Sequence, residues 1–175
     1  LILFLFSIFF ISPSNGENTT SSKGIIATSN PHASKAAHEI IKKGGNAIDA
    51  AVAVQLVLTL TEPQATGIGG GAFMLYWDAK KSKLFAIDGR EKAPSKAKED
   101  LFLNKDGNKI KFYPDAVVGA KSVGVPGIIK LLEDTHKKFG KLAWNDLFGY
   151  AIELSENGFS VSPALHNTLG YLSYL

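Results

Sequence analysis

The chain has 175 residues, of which 45% are hydrophobic and 20% charged, with a formal net charge of +3. That length supports one domain with a proper hydrophobic core, and the composition is that of an ordinary globular protein. The lysines are spread along the chain without a basic stripe, which argues against a nucleic-acid partner, and the absence of cysteine removes thiol catalysis and cysteine-based metal sites.

Residues 1–11 (Leu-Ile-Leu-Phe-Leu-Phe-Ser-Ile-Phe-Phe-Ile) are almost wholly apolar. A membrane-spanning helix needs ~20 such residues, so the run is short for a span and suits the core of a secretory signal peptide. Ser14-Asn15-Gly16 then supplies small residues for a peptidase. The expected organisation is a signal peptide over 1–16 without its charged start, a polar linker over 17–22, and a folded part over 23–175 that ends inside an element. Both ends are therefore expected to be truncated. Export without disulfides fits a bacterial periplasm or bacterial secretion, and the alternative is an uncleaved N-terminal membrane anchor.

Residues 23–29 read as a short strand. Asn30-Pro31 then pairs a capping residue with a proline at the first helical position. The helix it opens runs to about Lys43, with Ala33, Ala36, Ala37, Ile40 and Ile41 as its apolar stripe, and Gly44-Gly45 ends it. Asn46 starts a second helix, 47–60, which is apolar nearly all round and so expected to be buried on most sides. Glu62-Pro63 stops it. After Gly67-Ile68-Gly69-Gly70-Gly71, residues 72–77 and 84–88 read as two strands of a hairpin. Residues 94–120 are polar and irregular, with an Asp106-Gly107 turn. Residues 123–127 form a tight connection. A helix over 126–139 is expected to point Ile128, Ile129, Leu131, Leu132 and Phe139 inward. Another is expected over 144–157, and a last begins at Ser162-Pro163.

Arg90 is the only arginine, just past the end of the second strand in Asp88-Gly89-Arg90-Glu91-Lys92-Ala93-Pro94. A guanidinium offers a rigid planar fork that binds a carboxylate through two parallel hydrogen bonds, which an ammonium cannot do. Two readings are open on the residues alone: recognition of an acidic group on a ligand, or a structural ion pair with Asp88 or Glu91.

Other motifs fail on context. Gly67 to Ala72 fits the dinucleotide fingerprint G-x-G-x-x-A, but there the glycines must follow a strand and open a helix, and here the order is reversed. Gly158-Phe159-Ser160-Val161-Ser162 lacks the last glycine of a nucleophile elbow. His32, His38, His136 and His166 lack metal-site spacing and read as surface or capping residues.

Several blocks together resemble the gamma-glutamyltransferases. They are Gly44-Gly45-Asn46-Ala47-Ile48-Asp49-Ala50-Ala51-Val52-Ala53, Glu62-Pro63-Gln64, Gly69-Gly70-Gly71-Ala72-Phe73-Met74, Arg90-Glu91-Lys92-Ala93-Pro94, Val123-Gly124-Val125-Pro126-Gly127, and Phe139-Gly140 leading to Trp144. They stand in the family's order and approximate spacing across roughly residues 24–165. The resemblance implies an α+β fold, the αββα sandwich of N-terminal-nucleophile hydrolases, incomplete here and represented by helices plus the first core β-hairpin. It implies glutathione hydrolysis or gamma-glutamyl transfer by a precursor that cuts itself into a large and a small subunit. The new N-terminal threonine of the small subunit, absent from this sequence, forms an acyl-enzyme. The partners implied are glutathione, other gamma-glutamyl compounds and that small subunit, with no nucleic acid. The mechanism needs no metal or organic cofactor, and this segment alone is expected to be inactive.

The resemblance further implies that Arg90 binds the alpha-carboxylate of the glutamyl group, the one substrate-binding residue assigned, with no catalytic residue in this part. The glycine run 67–71 is expected to serve tight packing beside the first strand. Gly89 departs from the family's pattern, in which a bulky residue often precedes the arginine. The alternatives are a related acylase acting on another acidic amide, such as a glutaryl or poly-gamma-glutamate link, and a non-catalytic periplasmic module.

Overall fold

The computed structural model describes residues 24–172. The proposed signal peptide and linker lie outside the described residues. The elements, in chain order, are α1 (Pro31–Lys42), α2 (Ala47–Thr61), a single turn α3 (Pro63–Thr66), β1 (Ala72–Asp78), β2 (Lys83–Gly89), α4 (Ile128–Phe139), α5 (Gly149–Asn157) and α6 (Pro163–Leu172).

The α1–α2 pair is the heart of the helical layer. Small residues on α1 (Ala33, Ala36, Ala37) and on α2 (Ala50, Ala53) are buried, which lets the two backbones approach closely. Larger side chains then close the core around them: Val52 and Val57 of α2, Leu131 and Leu132 of α4, Leu147, and Leu154 of α5. Both helices begin where polar caps intercept their free N–H groups. Asn30 Oδ1 accepts from the His32 N–H at 3.0 Å. Asn46 Oδ1 accepts from the Ile48 and Asp49 N–H groups at 2.9 and 3.1 Å. Asp49 reciprocates by accepting the Asn46 N–H at 2.8 Å, which completes a capping box.

Asp49 does more than cap. It is fully buried, and its carboxylate also accepts the N–H groups of Lys141 (3.0 Å) and Leu142 (3.3 Å), beyond the end of α4. Asn46 Nδ2 donates to the Phe139 carbonyl at 2.6 Å. His136 Nε2 stands 3.1 Å from the Leu142 carbonyl and 3.4 Å from Asp49 Oδ1, with its ring edge-on to Trp144. The start of α2 is thereby tied to the end of α4. A buried carboxylate surrounded by directed donors is one of the few ways to keep a charge in an apolar layer.

The hairpin pairs antiparallel, from Ala72 opposite Gly89 to Asp78 opposite Lys83. One face (Met74, Tyr76, Phe85, Ile87) leans on the helices, with the Tyr76 and Phe85 rings each 4.8 Å from that of Phe139. The opposite face (Phe73, Leu75, Trp77, Leu84) is apolar and exposed. No helix among the described residues is long and apolar enough to cross a membrane.

Four expectations are corrected. Residues 24–29 form no strand, because no neighbouring strand among the described residues supplies hydrogen bonds. The helix expected over 144–157 breaks into a 3-10 turn, Trp144–Leu147, and α5. Phe148 and Gly149 offer no side-chain cap, and Leu147 turns into the core instead. Ile129 is 42% exposed, since it lies about 100° around α4 from Ile128 while Ile128, Leu131 and Leu132 take the inward side. His136 and His32, expected as surface or capping residues, are half-buried and bonded inward. His136 belongs to the Asp49 joint, and His32 Nδ1 lies 3.1 Å from the Tyr150 hydroxyl, joining α1 to α5.

Replacing Asp49 with alanine strands buried N–H groups at both ends of this joint. It should cost ~2–4 kcal/mol, read as a lower midpoint in urea unfolding of the protein. A second joint is acid-sensitive. Hydrogen bonds from Asn30 Nδ2 and Gln64 Nε2, both 2.8 Å, hold the Glu62 carboxyl below its ordinary value. A lowered folded-state pKa contributes stability above the unfolded value of about 4.3, and that stability is lost as pH falls through the lowered one. Glu62→Gln should therefore flatten the fall in melting temperature between about pH 5 and pH 3.

Candidate functional site

Arg90 sits where three backbone segments meet. β2 delivers it, and the Asp88 carboxylate accepts the Arg90 N–H at 2.9 Å to turn the chain out of the strand. Residues 91–93 then run beside residues 123–125. Lys92 and Val125 exchange two backbone hydrogen bonds, at 3.3 and 2.8 Å. The Gly127 and Ile128 N–H groups both donate to the Gly70 carbonyl, at 3.1 and 3.2 Å.

This crossing has no room for side chains at its centre. A Cβ on Gly71 would lie 2.5 Å from the Gly89 carbonyl oxygen and 2.8 Å from Arg90 Cα. One on Gly127 would overlap the Gly89 carbonyl and lie 2.9 Å from the Arg90 oxygen. One on Gly89 would lie 2.5 Å from the Leu131 side chain, and one on Gly124 would lie 2.8 Å from Glu91 Cβ. Four glycines from three separated motifs thus form a collar on the backbone that carries the arginine. The packing role expected for the glycine run 67–71 is found at Gly71, whereas a Cβ on Gly69 would meet nothing within 4 Å. Gly89 reflects the approach of α4, because Leu131 occupies the volume that a larger residue would need.

The backbone of Arg90 is clamped and its side chain is open. The Arg90 side chain is 66% exposed, and its one ion pair among the described residues is Nη1 to Glu91 Oε2 at 3.4 Å. Of the two structural partners weighed from the sequence, Glu91 makes that pair, while Asp88 bonds the Arg90 backbone. Arg90 borders two hollows. It lines a hollow with Gly69, Glu91, Lys92, Val123 and Gly124. It also lines a second hollow on the other flank with Asp88, Lys92, Pro126, Lys130 and Asp134. The arrangement can present a planar cation to an anionic group from outside. The Glu91 carboxylate stands beside that cation, and no cluster of three or more metal-ligating side chains occurs among the described residues.

Residues 33–172 match the family described as gamma-glutamyltranspeptidase. The chain belongs to that family. It is 44% identical over 142 residues to a glutathione hydrolase proenzyme of Bacillus subtilis, an alignment covering 81% of this chain and 24% of that protein. Among solved structures, the gamma-glutamyltranspeptidase from Pseudomonas nitroreducens complexed with L-DON has a TM-score of 0.81 at 39% identity, covering 87% of this chain and 44% of that one. The Helicobacter pylori gamma-glutamyltranspeptidase gives 0.81 at 38% identity, covering 87% and 43%. The chain spans about a quarter of the length of the curated relatives it matches. Its fold class is that of these neighbours, the α+β sandwich of N-terminal-nucleophile hydrolases, of which it holds helices and one hairpin.

Sequence reasoning missed the collar as a unit. Gly71, Gly89 and Gly127 are 18 to 56 positions apart along the chain, and nothing local marks them as neighbours. It also missed Asp49, although the Asn46-x-x-Asp49 spacing before an apolar run is a recognisable capping signal. The collar makes a direct prediction. Gly127→Ala forces two backbone segments apart and should cost ~1–3 kcal/mol. Thermal unfolding of the protein would measure it, and Gly149→Ala would serve as control, at an exposed glycine with open space around it and no positive φ.

Proposed function

We propose that this chain is the N-terminal part of the large subunit of an exported gamma-glutamyltransferase or glutathione hydrolase, and that Arg90 binds the alpha-carboxylate of the glutamyl donor. The observation that carries the reading is the contrast at Arg90: a backbone locked by glycine contacts and a guanidinium left open at a hollow. A structural ion-pair arginine is held by its partners through its head group. This one is held from behind, with a single pair among the described residues, at 3.4 Å, longer than the 2.7–2.9 Å typical of a charge-assisted bond. An incoming carboxylate can therefore take the two parallel donors without breaking a stronger contact.

The reaction follows from that anchor. With the alpha-carboxylate fixed, the gamma-amide is presented at one distance to a hydroxyl nucleophile, the N-terminal threonine of a small subunit cut from the same precursor. Attack gives a gamma-glutamyl ester and releases the amine, and water or an amino acceptor resolves the ester. Orientation of this kind is worth large factors because the reacting groups no longer have to find each other. Secretion through the apolar N-terminal segment would place the enzyme in the periplasm or outside the cell, where glutathione is broken down. The segment by itself carries the anchor and not the nucleophile, so it is inactive alone.

Arg90→Lys in the full-length processed enzyme keeps the charge and loses the fork. A charge-assisted bidentate contact contributes ~1.5–3 kcal/mol, so KM for gamma-glutamyl-p-nitroanilide should rise about tenfold to a hundredfold with an unchanged melting temperature. An unchanged KM would remove Arg90 from the binding site. Parallel assay of the glutaryl anilide separates a gamma-glutamyl enzyme from an acylase of broader acidic specificity.

A further inference from the structure

The side chain two positions after the anchor has no assigned role. Lys92 stands two residues beyond Arg90 and is bridged to Val125, so it follows Arg90 along one edge of the crossing. Both residues line both hollows, and the Arg90–Lys92 edge is the ridge between them.

The cations near this ridge are not equivalent. Lys130 is taken up by its own helix, bonded to Asp134 and 3.8 Å from Glu133, and these acids hold its ammonium in the charged form above its ordinary range. Arg90 has Glu91. Lys92 makes no side-chain hydrogen bond or ion pair among the described residues, while two backbone bonds to Val125 fix its main chain. A flexible ammonium with an anchored base and no internal partner is suited to an anion that arrives with a ligand.

We infer that Lys92 is a specificity-determining residue that favours gamma-glutamyl donors carrying a second carboxylate on the amine side of the scissile bond, of the gamma-glutamyl-amino-acid class. The inference rests on the reading of Arg90 as the alpha-carboxylate anchor and adds a second point of recognition along the same edge. One donor then spans two cations, its alpha-carboxylate on Arg90 and the carboxylate of its leaving amino acid on Lys92. A neutral leaving amine uses Arg90 alone. Because Lys92 is exposed, its contribution is that of a screened ion pair, ~0.5–1 kcal/mol.

The test compares two donors in the full-length processed enzyme: gamma-glutamylglycine, which has the second carboxylate, and gamma-glutamyl-p-nitroanilide, which lacks it. Lys92→Met should raise KM for the first about twofold to fivefold and leave the second unchanged, Lys92→Arg should restore the first, and 0.5 M salt should erase the difference. Equal effects on both donors, or no effect on either, would overturn the role of Lys92. Arg90→Lys run beside it separates the two ideas. If it raises KM for both donors while Lys92→Met does not discriminate, the anchor stands and only Lys92 is removed. If Arg90→Lys changes neither, the anchor reading fails and the inference built on it falls too.

Discussion

Three stretches of backbone pass through one point, and they can do so only because the residues there lack side chains. At Gly71, Gly89 and Gly127 the space a methyl group would occupy is already filled by main chain or by Leu131. Glycine is costly in an element interior because it loses more conformational freedom on folding than any other residue. Close backbone approach is the circumstance that offsets this cost. The crossing fixes the exit of β2 against the start of α4, and so fixes where Arg90 leaves the sheet. It also seats the hairpin on the helical layer, since the Gly70 carbonyl takes two N–H groups from the first residues around α4.

The helical layer behind the crossing is held by a different device. The Asp49 carboxylate collects donors from the start of α2 and from the loop after α4. It shares that loop with His136, which approaches both the carboxylate and the Leu142 carbonyl. Alanine-rich contact between α1 and α2 supplies close packing, but small apolar surfaces slide easily. The Asn30–Glu62 hydrogen bond, from the start of α1 to the end of α2, sets the register that alanine leaves loose. The two devices act in series. Asp49 positions the end of α4, α4 presents Leu131 to Gly89, and Gly89 precedes the arginine.

The site is consequently rigid in its main chain and open in its side chains. Arg90, Glu91 and Lys92 form a short charged edge between two hollows, above an apolar hairpin face that no described residue covers. A sandwich fold sets a second sheet against such a face. In gamma-glutamyltranspeptidases of the same fold this chain accounts for less than half of the aligned structures.

Local pattern determined much of this protein. Asn30-Pro31 and Asn46 set the starts of two helices, alternation and the Asp78–Lys83 turn set the hairpin, and a solitary arginine follows the second strand. These are short-range effects, settled by capping, by side-chain period and by the donor geometry of one residue, so they are readable in order along the chain. Tertiary structure decided the rest. It left residues 24–29 without strand partners, broke the helix expected over 144–157 so that Leu147 could enter the core, and drew His136 inside to meet Asp49. It also brought glycines from three distant motifs onto one stretch of backbone. Each of those outcomes depends on which atoms come to lie within a few ångströms after long loops close, and separation along the chain carries no record of that.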